Sequence, residues 1–409
     1  MARTMRATRT TFAALWHRNY RLWFFGQMTS LFGTWMQSTA QGYLVFELTR
    51  SAAWLGYTGF ASGLGMWLFT LYGGVVADRV SRRSLLVLTQ ALSMGLALVL
   101  SALTFTRLVA PWHIIVLAFL LGVVNAFDVP SRQSFVIEMV GTGDLTNAIA
   151  LNSMMFNAAV AVGPAIGGQA YALFGPGWCF VINGASFLAV IGALLAMRLP
   201  TFSAPARRSS VIADIRAGAR VVLGTPGILA LIVLVGSVSV FGMTYTTLMP
   251  AWAVRVLHGD ARTNGLLQSA RGIGAFSAAL AIASLGRFRW RGRLLAVGSF
   301  VFPATLAAFS FTRALPVSLA VLLLVGASNI TINSLANSLV QSWTPDDMRG
   351  RVMSIYNLFF MGLMPVGSLL AGAIAERGGE PLAVLVGACG TLACVAGIRL
   401  AVPSLRKAQ

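Results

Sequence analysis

Apolar residues fall along this chain in long blocks separated by short polar breaks. A helix that crosses about 30 Å of hydrocarbon needs about 20 largely apolar residues. Measured with that ruler, the chain predicts about twelve spans, at 20–46, 53–76, 85–106, 113–138, 148–172, 178–198, 228–254, 264–285, 294–312, 316–341, 352–375 and 381–400. Glycine recurs inside these blocks, as expected where helices pack closely in lipid. The longest polar break, 199–227, separates six spans from six. Its second part, Val211 to Leu223, is amphipathic and carries Arg216 and Arg220 one turn apart, which predicts a short helix lying on the membrane surface. The expected organisation is a tail at 1–19, a six-helix bundle at 20–198, a linker at 199–227, a second bundle at 228–400 and a tail at 401–409.

The halves repeat each other weakly. The fifth span holds Gly163-Pro164-Ala165-Ile166-Gly167-Gly168, and the eleventh holds Gly367-Ser368-Leu369-Leu370-Ala371-Gly372, an offset of about 204 residues. Both follow a polar turn with acids, Asp144 in one case and Asp346 with Asp347 in the other. Such symmetry predicts a transporter whose substrate site lies between the repeats near the midplane. The fold class expected is an all-α integral membrane protein of twelve transmembrane helices in two pseudo-symmetric six-helix bundles.

Composition agrees with lipid as the solvent. Of 409 residues, 57% are hydrophobic and 10% charged, where soluble domains average about 25% charged. A soluble domain, a disordered chain and a disulfide scaffold are all excluded on this ground. Cys179, Cys389 and Cys394 lie in apolar stretches without metal-ligand spacing and read as packing residues.

The net charge of +19, from 30 basic and 11 acidic residues, would suggest a polyanion partner in a soluble protein. Placed on the spans, most of the basic residues fall on one side, in the tail, the 2–3 loop, the central linker, the 8–9 loop and the C-terminus. That asymmetry is the positive-inside rule, and it predicts both termini in the cytoplasm of a multi-pass inner-membrane protein. The excess charge reads as topology, and no nucleic-acid partner is expected. The arginine-rich start resembles a signal peptide, but the apolar run after it is too long for one. It reads as a cytoplasmic tail before an uncleaved first span. The expected partners are a small molecule, protons and the bilayer, for a chain working as a monomer.

The loop after the second span reads Gly74-Val75-Val76-Ala77-Asp78-Arg79-Val80-Ser81-Arg82-Arg83. Gly74 would admit a neighbouring helix. Asp78, at a helix end, would accept from a facing helix N-terminus or an arginine, a contact that can latch one conformation and release in another. The bland alternative is a positive-inside loop with one stray acid. The stretch is similar to the cytoplasmic 2–3 loop signature of the major facilitator superfamily, with Ser81 at the usual glycine. That resemblance implies a latch made by Gly74, Asp78, Arg79, Arg82 and Arg83. The second half offers only a degenerate counterpart, Gly286 to Arg293, with no acid matching Asp78.

Proline in the run Gly163-Pro164-x-x-Gly167-Gly168 removes a backbone donor, and the glycines permit close packing. The run resembles the fifth-span signature of the drug:proton antiporter branch, with Ala159 at its leading glycine, and implies export rather than import. The stretches Asn19 to Trp23, Gly33 to Gln37, Asp128 to Gln133, Glu138 to Val140 and Asn147 to Asn152 resemble the enterobactin-exporter and macrolide-efflux group. Thr34 and Val160 depart from some of its members, and Ala118 stands where many antiporters carry an arginine before Gly122.

A charge inside a span costs about 2.5–3.5 kcal/mol at the centre and is a functional candidate by default. Asp128 leads, with Arg132 at i+4. Desolvation would favour its neutral form and Arg132 its charged form, a balance that proton exchange requires. A structural ion pair beside Pro130 is the alternative. Glu138 is a second candidate, nearer the interface. Arg271, seven residues or roughly 10 Å into its span, either snorkels outward or binds an anionic group.

One proton moving down 100 mV and one pH unit releases about 2.3 and about 1.4 kcal/mol, enough for roughly a 500-fold gradient at one-to-one exchange. No phosphate-binding loop of the G-x-x-x-x-G-K-[ST] kind occurs, so the proton gradient is the expected energy source and no cofactor is expected.

Polar residues of the spans that line the cavity in this superfamily complete the picture: Gln37 and Gln41, Asn125, Thr244 and Tyr245, and the series Asn329, Asn333, Asn337 and Gln341 at i+4 intervals. They form either a hydrogen-bonding wall for a ligand or ordinary interhelical bonds. No catalytic set is expected, since His17, His113 and His258 lie apart with no nucleophile beside them. The function expected is proton-coupled efflux of a lipophilic or amphipathic compound by alternating access, of the drug, macrolide, siderophore or secondary-metabolite kind. Uptake, lysophospholipid translocation and a non-transporting sensor are the alternatives.

Overall fold

The computed structural model describes residues 12–141, 143–198, 211–285 and 290–401. Residues 199–210 of the predicted linker 199–227, Arg287 and Arg289 of the 8–9 loop, and most of both tails lie outside the described residues.

Every regular element among the described residues is helical. After a short turn at Ala13–Trp16 come α1 Arg18–Thr49, α2 Ala52–Arg79, α3 Arg82–Phe105, α4 Pro111–Val140, α5 Leu145–Phe174, α6 Pro176–Ala196 and α7 Val211–Gly224. There follow α8 Pro226–Val256, α9 Ala261–Ser284, α10 Arg291–Ser310, α11 Leu315–Trp343, α12 Arg349–Gly362 and α13 Met364–Ala401. Among the described residues, nine helical stretches are long and apolar enough to cross a membrane. Local chemistry sets their ends. Proline opens α4, α6 and α8, where a missing N–H costs nothing. Gly141 and Gly175 end α4 and α5 with positive φ. Gly379, at φ 83, breaks α13 in its middle.

The chain divides into two compact units. One comprises Met1–Leu44 and Ala61–Ala206, the other Val45–Phe60 and Arg207–Gln409. Both close on glycine contacts that repeat at one sequence offset. In the first unit, a Cβ on Gly122 of α4 would stand 2.0 Å from the Ser62 carbonyl of α2. In the second, a Cβ on Gly326 of α11 would stand 2.0 Å from the Arg271 carbonyl of α9. The offset that relates Gly122 to Gly326 also relates Gly163, packed on Trp35, to Gly367, packed on Ser239 and Val240. Bare backbone at these points lets helices approach where lipid supplies no hydrophobic drive between them.

One detail of the 2–3 loop is corrected. Among the described residues of its unit, Gly74 meets no neighbouring helix, since a Cβ there would have nothing within 4 Å. The close approach falls on Gly73, whose Cβ would stand 2.0 Å from the Ala126 carbonyl of α4.

Candidate functional site

In the first unit, α4 carries Asp128 inward, with 2% of the residue exposed. Its Oδ1 accepts from the Thr89 hydroxyl and the Gln90 amide of α3, each at 2.8 Å. Its Oδ2 accepts from the Arg132 guanidinium one turn on. Thus three donors hold one buried carboxylate, and two of them come from another helix. Thr89 and Gln90 are themselves 2% exposed. Sequence reasoning missed both, and the only available signal was two polar residues adjacent within the apolar third span.

Glu138, at the end of the same helix, accepts from Arg82. Of the other loop residues, Arg83 donates to the Leu195 carbonyl at 2.8 Å and Arg79 is exposed. Asp78 lies in the last turn of α2, and its side chain is outside the described set. Gly163, Pro164, Gly167 and Gly168 are all buried in α5, which runs unbroken through the proline. Gln37 accepts a 2.7 Å bond from Asn183 of α6 and is 7% exposed, so this amide ties α1 to α6. Gln41 and Asn125 are half-buried.

In the second unit, α8 contains two π-helical turns, Val238–Gly242 and Trp252–Val256, flanking Thr244–Ala251. Such turns widen a helix locally and are frequent at functional sites. Thr244 donates to its own helix at Phe241, and Tyr245 is 1% exposed. The amides of α11 bond largely to one another. Asn333 donates to the Asn329 carbonyl at 3.0 Å, Gln341 donates to Asn337 at 2.6 Å, and Asn329 reaches the Met243 sulfur at 3.5 Å. Arg271 lies ten residues into α9, about 15 Å along its axis, because the helix starts at Ala261.

Two polar fastenings of the second unit were not legible in the sequence. Glu376 Oε2 accepts from the Ser51 hydroxyl at 2.9 Å and from the Ala52 and Ala53 N–H groups at 2.8 and 3.2 Å. It therefore caps the first turn of α2 with a side chain from α13. Arg255 donates to Glu380 at 3.0 Å and to the Arg50 carbonyl. Glu376 lies beyond the apolar run of its span. Burial alone would push its carboxyl up, yet Ser51, the Ala53 and Ala52 N–H groups and the Arg255 charge together hold it below the ordinary value of 4.5.

A carboxyl held down in the fold gives stability that is full above its ordinary value and is lost as pH falls through the lowered one. Thermal unfolding midpoints are therefore expected to carry this group's full contribution, unchanged, between about pH 8 and about pH 5, and to lose it only in stronger acid. Glu376→Gln is expected to cost about 1 kcal/mol at neutral pH, because the site is solvent-exposed, and to reduce the acid-dependent fall. Matching acid curves for the two proteins would refute the assignment.

The profile of a family described as transmembrane secretion effectors matches residues 9–409. The chain is 23% identical to the staphyloferrin A transporter of Staphylococcus aureus, over 87% of this chain and 89% of that one. It is 26% identical to the multidrug efflux pump Tap of Mycolicibacterium fortuitum, over 87% and 88%. It is 24% identical to the enterobactin exporter EntS of Citrobacter koseri, over 88% and 85%. Among solved structures it resembles a bacterial homologue of the human lysosomal transporter Spinster, inward-facing and unoccupied, with TM-score 0.74 and 15% identity, covering 96% of this chain and 98% of that one. It also resembles the nucleoside transporter NupG, with TM-score 0.71 and 13% identity, covering 94% and 98%.

Proposed function

The chain belongs to the transmembrane secretion effector family of major facilitator transporters, and we propose that it exports a lipophilic or amphipathic small molecule in exchange for protons, by alternating access. It is a multi-pass membrane transporter. The finer topology we infer has twelve passes in two bundles of six, with α1 and α2 as the first two and Gly379 dividing the last two, and with both termini in the cytoplasm. The relatives named as exporters, each matched over most of its length, support the outward direction.

The observation that carries proton coupling is Asp128. It is a fully buried carboxylate in a membrane-embedded helix, and its basic partner Arg132 keeps 30% of its side chain exposed and so can turn away. Losing that partner would leave a desolvated carboxylate, which takes up a proton. Arg82 and Glu138 at the mouth of the 2–3 loop supply the matching latch.

The test is efflux of a fluorescent dye from cells that overproduce the protein, with and without an uncoupler. Uphill efflux that collapses with the uncoupler is expected. Efflux that ignores it would end proton coupling. Purified protein in vesicles, with dye loaded on either side, separates export from uptake and from a protein with no turnover.

A further inference from the structure

Arg271 is a charge in the middle of an apolar helix, yet among the described residues it forms no ion pair. No acid lies on α9 itself, and Asp260, which caps its start by accepting from the Thr263 N–H, is eleven residues away. Glu380 and Glu376 of the same unit are bound to Arg255 and to the start of α2. Arg271 does not simply point out to lipid. Its backbone carbonyl lies against Gly326 of α11, and its guanidinium is the charged neighbour of Tyr245 on α8. Tyr245 is 1% exposed, and its hydroxyl, beside the Arg271 guanidinium, has no other hydrogen-bond partner among the described residues. The Arg271 Nε is likewise buried and unbonded. Donors left short of acceptors around a half-buried cation are costly unless something fills the place.

We propose that Arg271 and Tyr245 form an oxyanion-binding subsite inside the second unit, and that the cargo is therefore an amphipathic organic anion. Resting on the export reading above, this names the class of compound exported. A guanidinium offers a planar fork that matches a carboxylate, and a phenol hydroxyl adds a third donor. Trp252 and Phe309 stack at 4.3 Å, with Tyr245 6.5 Å from the same Phe309, so aromatic surface adjoins the polar pair. The cargo implied is an aromatic or acyl body bearing a carboxylate-like group. A phospholipid headgroup does not meet the description, because the subsite lies about 15 Å along α9 from its end, at the depth of acyl chains. The π-helical turns on either side of Tyr245 widen α8 where the ligand would sit.

The experiment uses the full chain purified and reconstituted in phosphatidylcholine vesicles, with 2-naphthoate and its neutral amide, 2-naphthamide, as probes. The two share a ring system and size and differ in charge. Equilibrium dialysis measures binding, and a pH gradient drives transport. Wild-type protein is expected to bind the carboxylate at least about 10-fold more tightly than the amide. Arg271→Gln is expected to remove that preference, weakening the carboxylate far more than the amide. Arg271→Lys, which keeps the charge but not the fork, should retain part of the preference. Tyr245→Phe should weaken the carboxylate severalfold.

Equal binding of the two probes, binding of neither, or loss of both alike in a folded Arg271→Gln protein overturns the subsite. Tryptophan fluorescence melting establishes folding, and the Lys and Phe variants keep the question open to refutation if Gln does not fold. Arg271-dependent binding of the carboxylate without pH-driven movement of either probe would strike the export reading and leave the subsite standing.

Discussion

Replacing Asp128 by asparagine is expected to abolish uphill efflux while ligand binding persists. The reason lies in how the carboxylate is held. Asparagine is nearly the same shape, and its oxygen can still accept from Thr89 and Gln90, which meet Oδ1 in the native protein. Its amide nitrogen then faces Arg132, where Oδ2 had accepted. Two donors now oppose each other, but Arg132 is part-exposed and can swing away, so the cost in stability is held to about 1–3 kcal/mol. The variant keeps its helices together and loses the carboxyl proposed to take and release the coupled proton.

Asp128→Ala is the harsher change. It leaves Thr89, Gln90 and Arg132 without an acceptor, and a broken buried pair costs about 3–5 kcal/mol. The expected order of melting midpoints is wild type, then Asn, then Ala, while both variants fail to concentrate substrate against a gradient. Asn protein that still drives uphill efflux, with the same dependence on an uncoupler, would remove Asp128 from coupling and leave it as an α3–α4 clasp.

The helices of this protein are legible in its sequence because lipid demands long apolar runs, and the repeat is legible because Gly163 and Gly367 stand at matching places. Partners across helices were not. A helix apolar on every side gives no sign of which face packs. Nothing in the sequence therefore joins Gln37 to Asn183, Asp128 to Gln90, or Glu376 to Ser51, pairs separated by 146, 38 and 325 residues. The amides of α11 show the opposite limit. Their i+4 spacing was plain, but whether they serve a ligand or one another depends on rotamers, and the structure turns most of them along their own helix. At the 2–3 loop, the familiar pattern drew attention to Gly74 when the packing glycine is its neighbour.

That neighbouring pair yields an expected result of opposite signs. Gly73→Ala would drive a Cβ to 2.0 Å from the Ala126 carbonyl, a backbone atom that no rotamer change can move. The α2–α4 pair must separate, and overpacking of this kind costs about 1–3 kcal/mol or more. Gly74→Ala meets nothing within 4 Å. Alanine there only restricts the unfolded chain and favours helix, so it is expected to stabilise by about 0.5–1 kcal/mol. Gly122→Ala and Gly326→Ala should each behave like Gly73→Ala, because each Cβ would likewise stand 2.0 Å from a carbonyl oxygen, of Ser62 in one unit and of Arg271 in the other. Melting of the four purified variants in one detergent decides the matter. Gly326→Ala carries a further expectation, since it displaces the backbone that bears Arg271 and should therefore weaken binding of 2-naphthoate as well as stability. Gly122→Ala, with an equal clash in the other unit, should lower stability to a similar degree and leave that binding in place. Equal losses of binding in the two variants would show that the contacts act only through overall stability, and a stable Gly326→Ala protein would show that α9 and α11 are not packed backbone to backbone.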